Sequence, residues 1–155
     1  MKSSILLLVI MHVVAGQKTY FIPNFRTNWY KAYEFCLSLD QRLATIGSAR
    51  ENDEVIEFVK NSDKYVEYFR LWIGASDLPE EGTFTWTSTN ALLTFTMWGE
   101  NEPSNTDGNE NCVQLYNTQG NYWMWNDDVC DYTHYFICEW DATRHHNKPC
   151  SKSSG

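Results

Sequence analysis

The sequence predicts an α+β domain with a small mixed or antiparallel sheet. Two stretches with helical periodicity lie in its first part. Several short runs of β-branched and aromatic residues follow, beginning at Leu71. Among those later strands sits a long polar loop, Asn101 to Asn111, that contains Pro, Gly, Asn, Ser, Thr and Asp but no aromatic residue. Loops of this length inside a compact domain are usually functional or disordered.

Residues 1–16 read as a secretory signal peptide. Lys2 gives a positive start, Ile5 to Met11 an apolar run that continues to Val13 and Val14, and Ala15-Gly16 small residues before Gln17. The run is too short for a membrane span and has no polar face to suit a buried helix. The mature product is therefore expected to be soluble and extracellular. Residues 17–141 are expected to form one domain, and 142–155 a flexible tail with little to bury.

Thr19 to Ile22 suits an edge strand stopped by Pro23. A helix fits from about Asn28 to Leu39, with Trp29, Ala32, Cys36 and Leu39 at helical spacing on its inner face. Leu43 to Ile46 suits a short strand. Ser48-Ala49-Arg50-Glu51 is a capping box that starts a second helix at Ser48, with Val55, Ile56 and Val59 inward and an end near Asn61. Its acidic run from Glu51 to Glu54 fits the positive end of the helix dipole better than a metal site. Leu71 to Ala75 suits a central buried strand, Asp77 to Gly82 a loop, and Thr83 to Trp86 another strand. Regular pattern is lost from Asn90. Strands return at Cys112–Tyr116, Tyr122–Trp125 and Tyr135–Glu139, with a turn from Asn117 to Asn121. Trp72, Trp98, Trp123 and Trp125 are assigned to the core. Asp128 is expected to face solvent or bond to the loop.

Net charge is −8, with no basic stripe, which argues against nucleic acid as a partner. No second apolar stretch approaches membrane length. Cys36, Cys112, Cys130, Cys138 and Cys150 make an odd set in a secreted chain, so at least one thiol is free or paired between chains. Spacing alone leaves their connectivity open. Enzyme activity is not expected, because neither a Gly-x-Ser-x-Gly nor a His-Glu-x-x-His motif occurs. His145-His146 falls in the tail, without a frame for catalysis. Glu102 and Glu110 imitate a glycosidase pair, but that chemistry needs one carboxyl with a raised pKa in a cleft.

Two oxygen-rich clusters carry the functional signal. Glu102, Ser104 and Glu110 form one; Asn126, Asp127 and Asp128 form the other, beside Trp98, Trp123 and Trp125. Carboxylates this dense repel unless a cation gathers them. Calcium accepts about six to eight oxygen ligands and readily keeps open positions. The pattern reads as a calcium site that holds a sugar, two of whose hydroxyls complete the shell.

Five pieces then carry a resemblance. Leu43-Ala44-Thr45-Ile46 follows a Cys-bearing helix, and Trp72-Ile73-Gly74-Ala75 forms the central strand. Glu102-Pro103-Ser104 opens the long loop. Glu110 stands two residues before Cys112, and Trp125-Asn126-Asp127 ends three before Cys130. In this order, across residues 20–140, they resemble the C-type lectin domain, in the short secreted form common in arthropods. The resemblance implies two helices, small and mostly antiparallel sheets, and a long calcium-binding loop. It implies bridges Cys36–Cys138 and Cys112–Cys130, and a cis bond before Pro103. It implies Ca2+ as cofactor, held by Glu102, Ser104, Glu110, Asn126 and Asp127, including the Asp127 carbonyl. Glu102, Ser104, Glu110 and Asn126 would also touch the sugar. Asp77 and Glu81 match an auxiliary metal site of some members. Asn105 and Asn111 stand there in place of stronger carboxylates, and a solvated turn from Asp77 to Gly82 accounts for the pair equally well.

Glu before Pro103 resembles the mannose-type order, which suits mannose, fucose or N-acetylglucosamine glycans on microbial, viral or host glycoproteins. Galactose-type members have Gln-Pro-Asp and a following aromatic, and no aromatic lies between Pro103 and Cys112. Ser104 departs from the family's Asn and removes an N–H donor, so weakened or altered sugar preference is expected. The implied role is pattern recognition in innate immunity. The alternative is a calcium-weak lectin-like domain that binds a protein partner. Cys150 suits either a disulfide-linked dimer or a blocked thiol.

Overall fold

The structure is a computed structural model that describes residues 18–66, 68–118 and 122–142. The signal segment, Cys150, His145-His146 and the tip of the Asn117–Asn121 turn lie outside the described residues.

Among the described residues the chain forms two sheets, two α-helices and a short 3-10 turn at Thr106–Gly108. Strand β1 (Lys18–Phe21) pairs antiparallel with β9 (Cys138–Asp141), which pairs in turn with β2 (Arg42–Leu43). The larger sheet runs in the order β5 (Ala91–Leu92), β4 (Thr85–Trp86), β3 (Arg70–Ser76), β6 (Cys112–Asn117) and β7 (Trp123–Asp128). β8 (Tyr135–Phe136) lies parallel to β3. Apart from that pair, the paired strands are antiparallel.

Helix α1 (Trp29–Ser38) starts where Asn28 Oδ1 accepts the Lys31 N–H at 3.0 Å. Trp29, Ala32 and Cys36 are buried. Leu39, placed on the inner face from its spacing, is instead 44% exposed. It is the C-cap, where the backbone leaves helical geometry and the 3.6-residue period stops applying. Helix α2 (Ala49–Lys60) starts at Ser48, whose Oγ accepts the Glu51 N–H at 3.2 Å. The return bond of the capping box shifts by one residue. Glu51 Oε2 takes the Gly47 N–H at 2.8 Å and also meets Lys18 Nζ at 3.0 Å. The Lys18 ammonium draws the carboxylate off the cap.

Three indole N–H groups fasten these layers. Trp29 Nε1 donates to the Ile73 carbonyl at 2.9 Å, Trp72 Nε1 to that of Thr27 at 3.2 Å, and Trp125 Nε1 to Asn52 Oδ1 at 3.0 Å. The central strand passes so close to β2 that a Cβ on Gly74 would lie 2.8 Å from the Leu43 carbonyl oxygen. One core cluster groups Ile46, Val55, Leu71, Ile73, Leu115 and Trp125, among others. A second packs Trp29, Trp72 and Phe136 around the Cys36–Cys138 and Cys112–Cys130 bridges. Trp98 is only partly buried against the first.

Boundaries differ from the sequence expectation at several elements: β4 starts at Thr85 rather than Thr83, and β7 runs on to Asp128 rather than ending at Trp125. Leu43 to Ile46 is buried but pairs as a strand only at Arg42–Leu43, and β5 forms where pattern had been lost. Tyr135 to Glu139 divides at Ile137, whose N–H bonds to the Trp72 carbonyl while β9 joins the other sheet.

Candidate functional site

The long loop is shaped by residues that tolerate left-handed backbone. Asn101, Asn105, Asp107 and Gly108 all have positive φ, which short polar side chains and glycine accept at least cost. The Glu102–Pro103 bond is cis. Before it, Gly99 N donates to the Trp125 carbonyl at 2.9 Å, so the loop's first limb lies against β7.

Asp127 holds the loop from beneath. It is 1% exposed. Its Oδ1 accepts the Ser104 N–H and its Oδ2 the Asn105 N–H, each at 2.8 Å. Bonds from backbone amides to a carboxylate are among the stronger ones in proteins. Glu110 closes the other end. Its Oε2 accepts the Thr106 N–H at 2.7 Å and the Ser104 hydroxyl at 2.9 Å, while its own N–H donates to Asn105 Oδ1 at 3.2 Å.

An open cavity of about 340 Å³ lies above, lined by Glu102, Ser104, Glu110 and Asn126 with Arg70 and Tyr116 among their neighbours. Four of the five sequence-identified ligands therefore share one wall system. Asp127 is not in the lining; it faces the loop from the other side of β7, as alternation along a strand requires. Asn126 donates from Nδ2 to the Asp127 carbonyl at 2.5 Å.

Glu102 carries the main electrostatic tension. Its Oε2 is buried and, among the described residues, accepts no hydrogen bond. Burial pushes its carboxyl pKa up, and the negative charges of Asp127 and Glu110 push it further, against a lowering contribution from the Ser104 hydroxyl. Burial and the Glu102 charge likewise raise the Tyr116 phenol. An oxygen-rich wall with an unpartnered buried carboxylate oxygen is chemically matched to a hard cation. Among the described residues, however, no group of three or more His, Cys, Asp or Glu side chains is gathered as a metal centre. The donor set fits calcium only with hydroxyl, amide and carbonyl oxygens counted beside the carboxylates.

The Asp77 and Glu81 pair departs from a solvated turn in one respect. Asp77 is 1% exposed; its Oδ2 accepts the Gly82 N–H at 2.8 Å and its Oδ1 has no hydrogen-bond partner among the described residues. Burial raises its pKa, aided by Glu81 and Asp127 and opposed by the Gly82 N–H. Glu81 is exposed and accepts Asn105 Nδ2 at 2.6 Å.

Asp128, expected to face solvent or bond to the loop, is instead buried against β6 and the segment after β7. It is 3% exposed and accepts from Gln114 Nε2 at 2.7 Å and the Val129 N–H at 2.9 Å, with His134 Nε2 also at 2.9 Å. Its carboxylate satisfies polar groups on neighbouring elements, so burial costs it no partner. Arg70, Thr106, Gln114 and Tyr116 also line the cavity and were missed. Period two along β6 and β7 groups Gln114 with Tyr116, and Asn126 with Asp128. Placing Arg70 beside them needs the β3–β6 register, in which Arg70 opposes Tyr116.

A family profile, the Lectin C-type domain, matches residues 26–140. The C-type lectin mosGCTL-7 of Aedes aegypti is 48% identical over 136 residues, covering 86% of this chain and 90% of that protein. Salivary C-type lectin 1 of Aedes albopictus is 38% identical over 120 residues, 76% of this chain and 78% of that protein. Among solved structures, the cow C-type carbohydrate-recognition domain of CD23, crystallised in the presence of a GlcNAc2Man3 oligosaccharide, superposes with a TM-score of 0.67. It is 30% identical, covering 81% of this chain and 88% of that one. The chain belongs to the C-type lectin family. That family is one of carbohydrate-binding lectins and is not enzymatic.

Proposed function

We propose that the protein is a secreted, calcium-dependent lectin that takes mannose-type sugars in the loop cavity. The observation that carries this reading is Glu102, whose buried Oε2 has no hydrogen-bond partner among the described residues, where Ser104, Glu110 and Asn126 line the same cavity. Glu102, Glu110, Ser104, Asn126 and the Asp127 carbonyl would hold Ca2+. When bound, the ion supplies open coordination positions for two vicinal sugar hydroxyls. The protein's own part is to present acceptors for the hydroxyl protons (Glu102, Glu110) and a donor amide (Asn126). Ser104 offers a hydroxyl alone, already committed to Glu110. Secretion rests on the N-terminal segment. The glycoprotein targets and a defensive role follow from the same reading, and a Cys150 bridge would add valency.

A calcium-independent, protein-binding role has one observation in its favour. Asp127 and Glu110 already hold the loop through hydrogen bonds from its backbone N–H groups. Passage over immobilised mannan and galactan separates the two. Retention on mannan in calcium, with release by a chelator, is the expected result. Retention that ignores the chelator, or preference for galactan, would overturn the proposal.

A further inference from the structure

Next to the loop cavity lies a second, smaller one of about 200 Å³, lined by Arg26, Lys64, Tyr68, Arg70, His134 and Tyr135 with neighbouring apolar groups. Arg70 lines both, so the two are contiguous through one side chain. We infer that the second cavity is a subsite for an acidic sugar residue, carrying a sulfate or a carboxylate, on a glycan anchored in the loop cavity. The inference rests on the proposed function for that anchor, and its own case stands on charge and shape.

The groove is positive on a protein whose net charge is −8. Three permanent cations, Arg26, Lys64 and Arg70, meet two carboxylates. Lys64 lies 2.5 Å from Asp63, and Arg70 lies 3.5 Å from Asp128. Asp63 is a displaceable partner, because its own side chain is 83% exposed while that of Lys64 is 14% exposed. Arg26 has no carboxylate partner among the described residues; its guanidinium lies 5.2 Å from the centre of the Tyr135 ring. Tyr135 is itself stacked on Phe69, with centroids 5.2 Å apart, which fixes the plane on which Arg26 rests. Two guanidinium forks and an ammonium around a small space suit one tetrahedral or planar anion. Drug-sized ligand pockets run to roughly 300–1,000 Å³, so this one suits a single ring or its charged substituent. Tyr68, 60% exposed at the rim, offers a ring face to the sugar's apolar side. A long polyanion such as nucleic acid is disfavoured by the acidic remainder of the surface.

The test uses the full chain and three oligosaccharides that share a mannose terminus: one neutral, one sulfated and one carrying a uronic acid. Binding is titrated in calcium at two salt concentrations, for the wild type and for Arg26→Ala/Lys64→Ala, neither of which lines the loop cavity. Charge-assisted hydrogen bonds make an acidic ligand on the order of tenfold tighter than the neutral one on the wild type, and more salt-sensitive. The variant is expected to lose that preference and to keep neutral-ligand affinity within about twofold, because neither residue contributes to the lining of the loop cavity. Arg26→Gln, which keeps a chain over Tyr135, repeats the measurement with less disturbance of packing. Equal affinity for neutral and acidic ligands on the wild type, or a preference that survives both variants, would overturn the inference. Absence of neutral-ligand binding in every form would instead sink the mannose reading. The sulfated ligand then decides the groove alone, which stands if the wild type retains that ligand and the variant does not.

Discussion

Ser104 sits where two demands meet. Its N–H donates to Asp127 and its hydroxyl to Glu110, so the residue ties both carboxylates to one point of the loop. An asparagine keeps the backbone bond and adds an amide that can face metal and sugar with separate atoms. Ser104→Asn is therefore expected to tighten binding of mannose-type glycans in calcium by about two- to tenfold, the range of one net hydrogen bond. Unchanged or weaker binding in a titration would show that the Ser104 hydroxyl does not limit affinity. Gly99 shows how little room remains nearby, since a Cβ there would lie 2.6 Å from the Tyr116 hydroxyl.

At the scale of the elements, α2 shows what was legible in the sequence and where legibility stopped. The helix and its Ser48 cap follow from local rules, because the cap and the apolar spacing lie within one short stretch. The partner of Glu51 does not, because Lys18 arrives from a strand 33 residues away. The same division runs through the site. Glu110, Asn126 and Asp127 are singled out by their offsets to cysteines and Glu102 by the Pro103 that follows it, whereas Arg70 enters the cavity lining only through sheet register. Asp128 misled because burial there depends on Gln114 and His134, which no local pattern pairs with it. β5 escaped notice because only two exposed residues, paired with β4, define it.

The Glu51 carboxyl has a consequence for acid stability. Burial alone would raise its pKa, but the Gly47 N–H, the Lys18 ammonium and the Arg42 charge together lower it. A lowered folded-state pKa contributes stability above the unfolded value, and that stability is lost as pH falls through the folded value. Glu51→Gln should therefore lower the urea midpoint at neutral pH and flatten its decline on acidification below about pH 4.5, the ordinary glutamate value. A variant whose decline parallels the wild type would show that Glu51 is not a source of the acid dependence.

For the whole molecule, the two bridges divide the work. Cys36–Cys138 spans 102 residues and joins α1 to β9; Cys112–Cys130 spans 18 and joins β6 to the segment after β7. In the chain-entropy account the shorter loop stabilises by about 3 kcal/mol and the longer by nearer 5. Replacing Cys112 and Cys130 together with Ser should lower unfolding free energy by about 3 kcal/mol and speed amide exchange in the β6–β7 pair. A loss well below that, with exchange unchanged, would show that the sheet register alone holds β6 and β7 together.

The β1–β9 ladder sets Lys18 opposite Asp141, and no residue of that three-stranded sheet lines either cavity. The domain is thus almost a ring in the chain sense, open only between neighbours on one ladder. A short Gly-Ser linker from residue 142 back to residue 18 would close it, and new ends can be cut at the exposed Thr89–Asn90 turn. Such a circular permutant should keep both bridges and the loop cavity while leaving β1 and β9 without free ends. The same geometry makes this edge the natural place for a tether, since a carrier attached at either flank departs from one ladder that contributes no residue to either cavity.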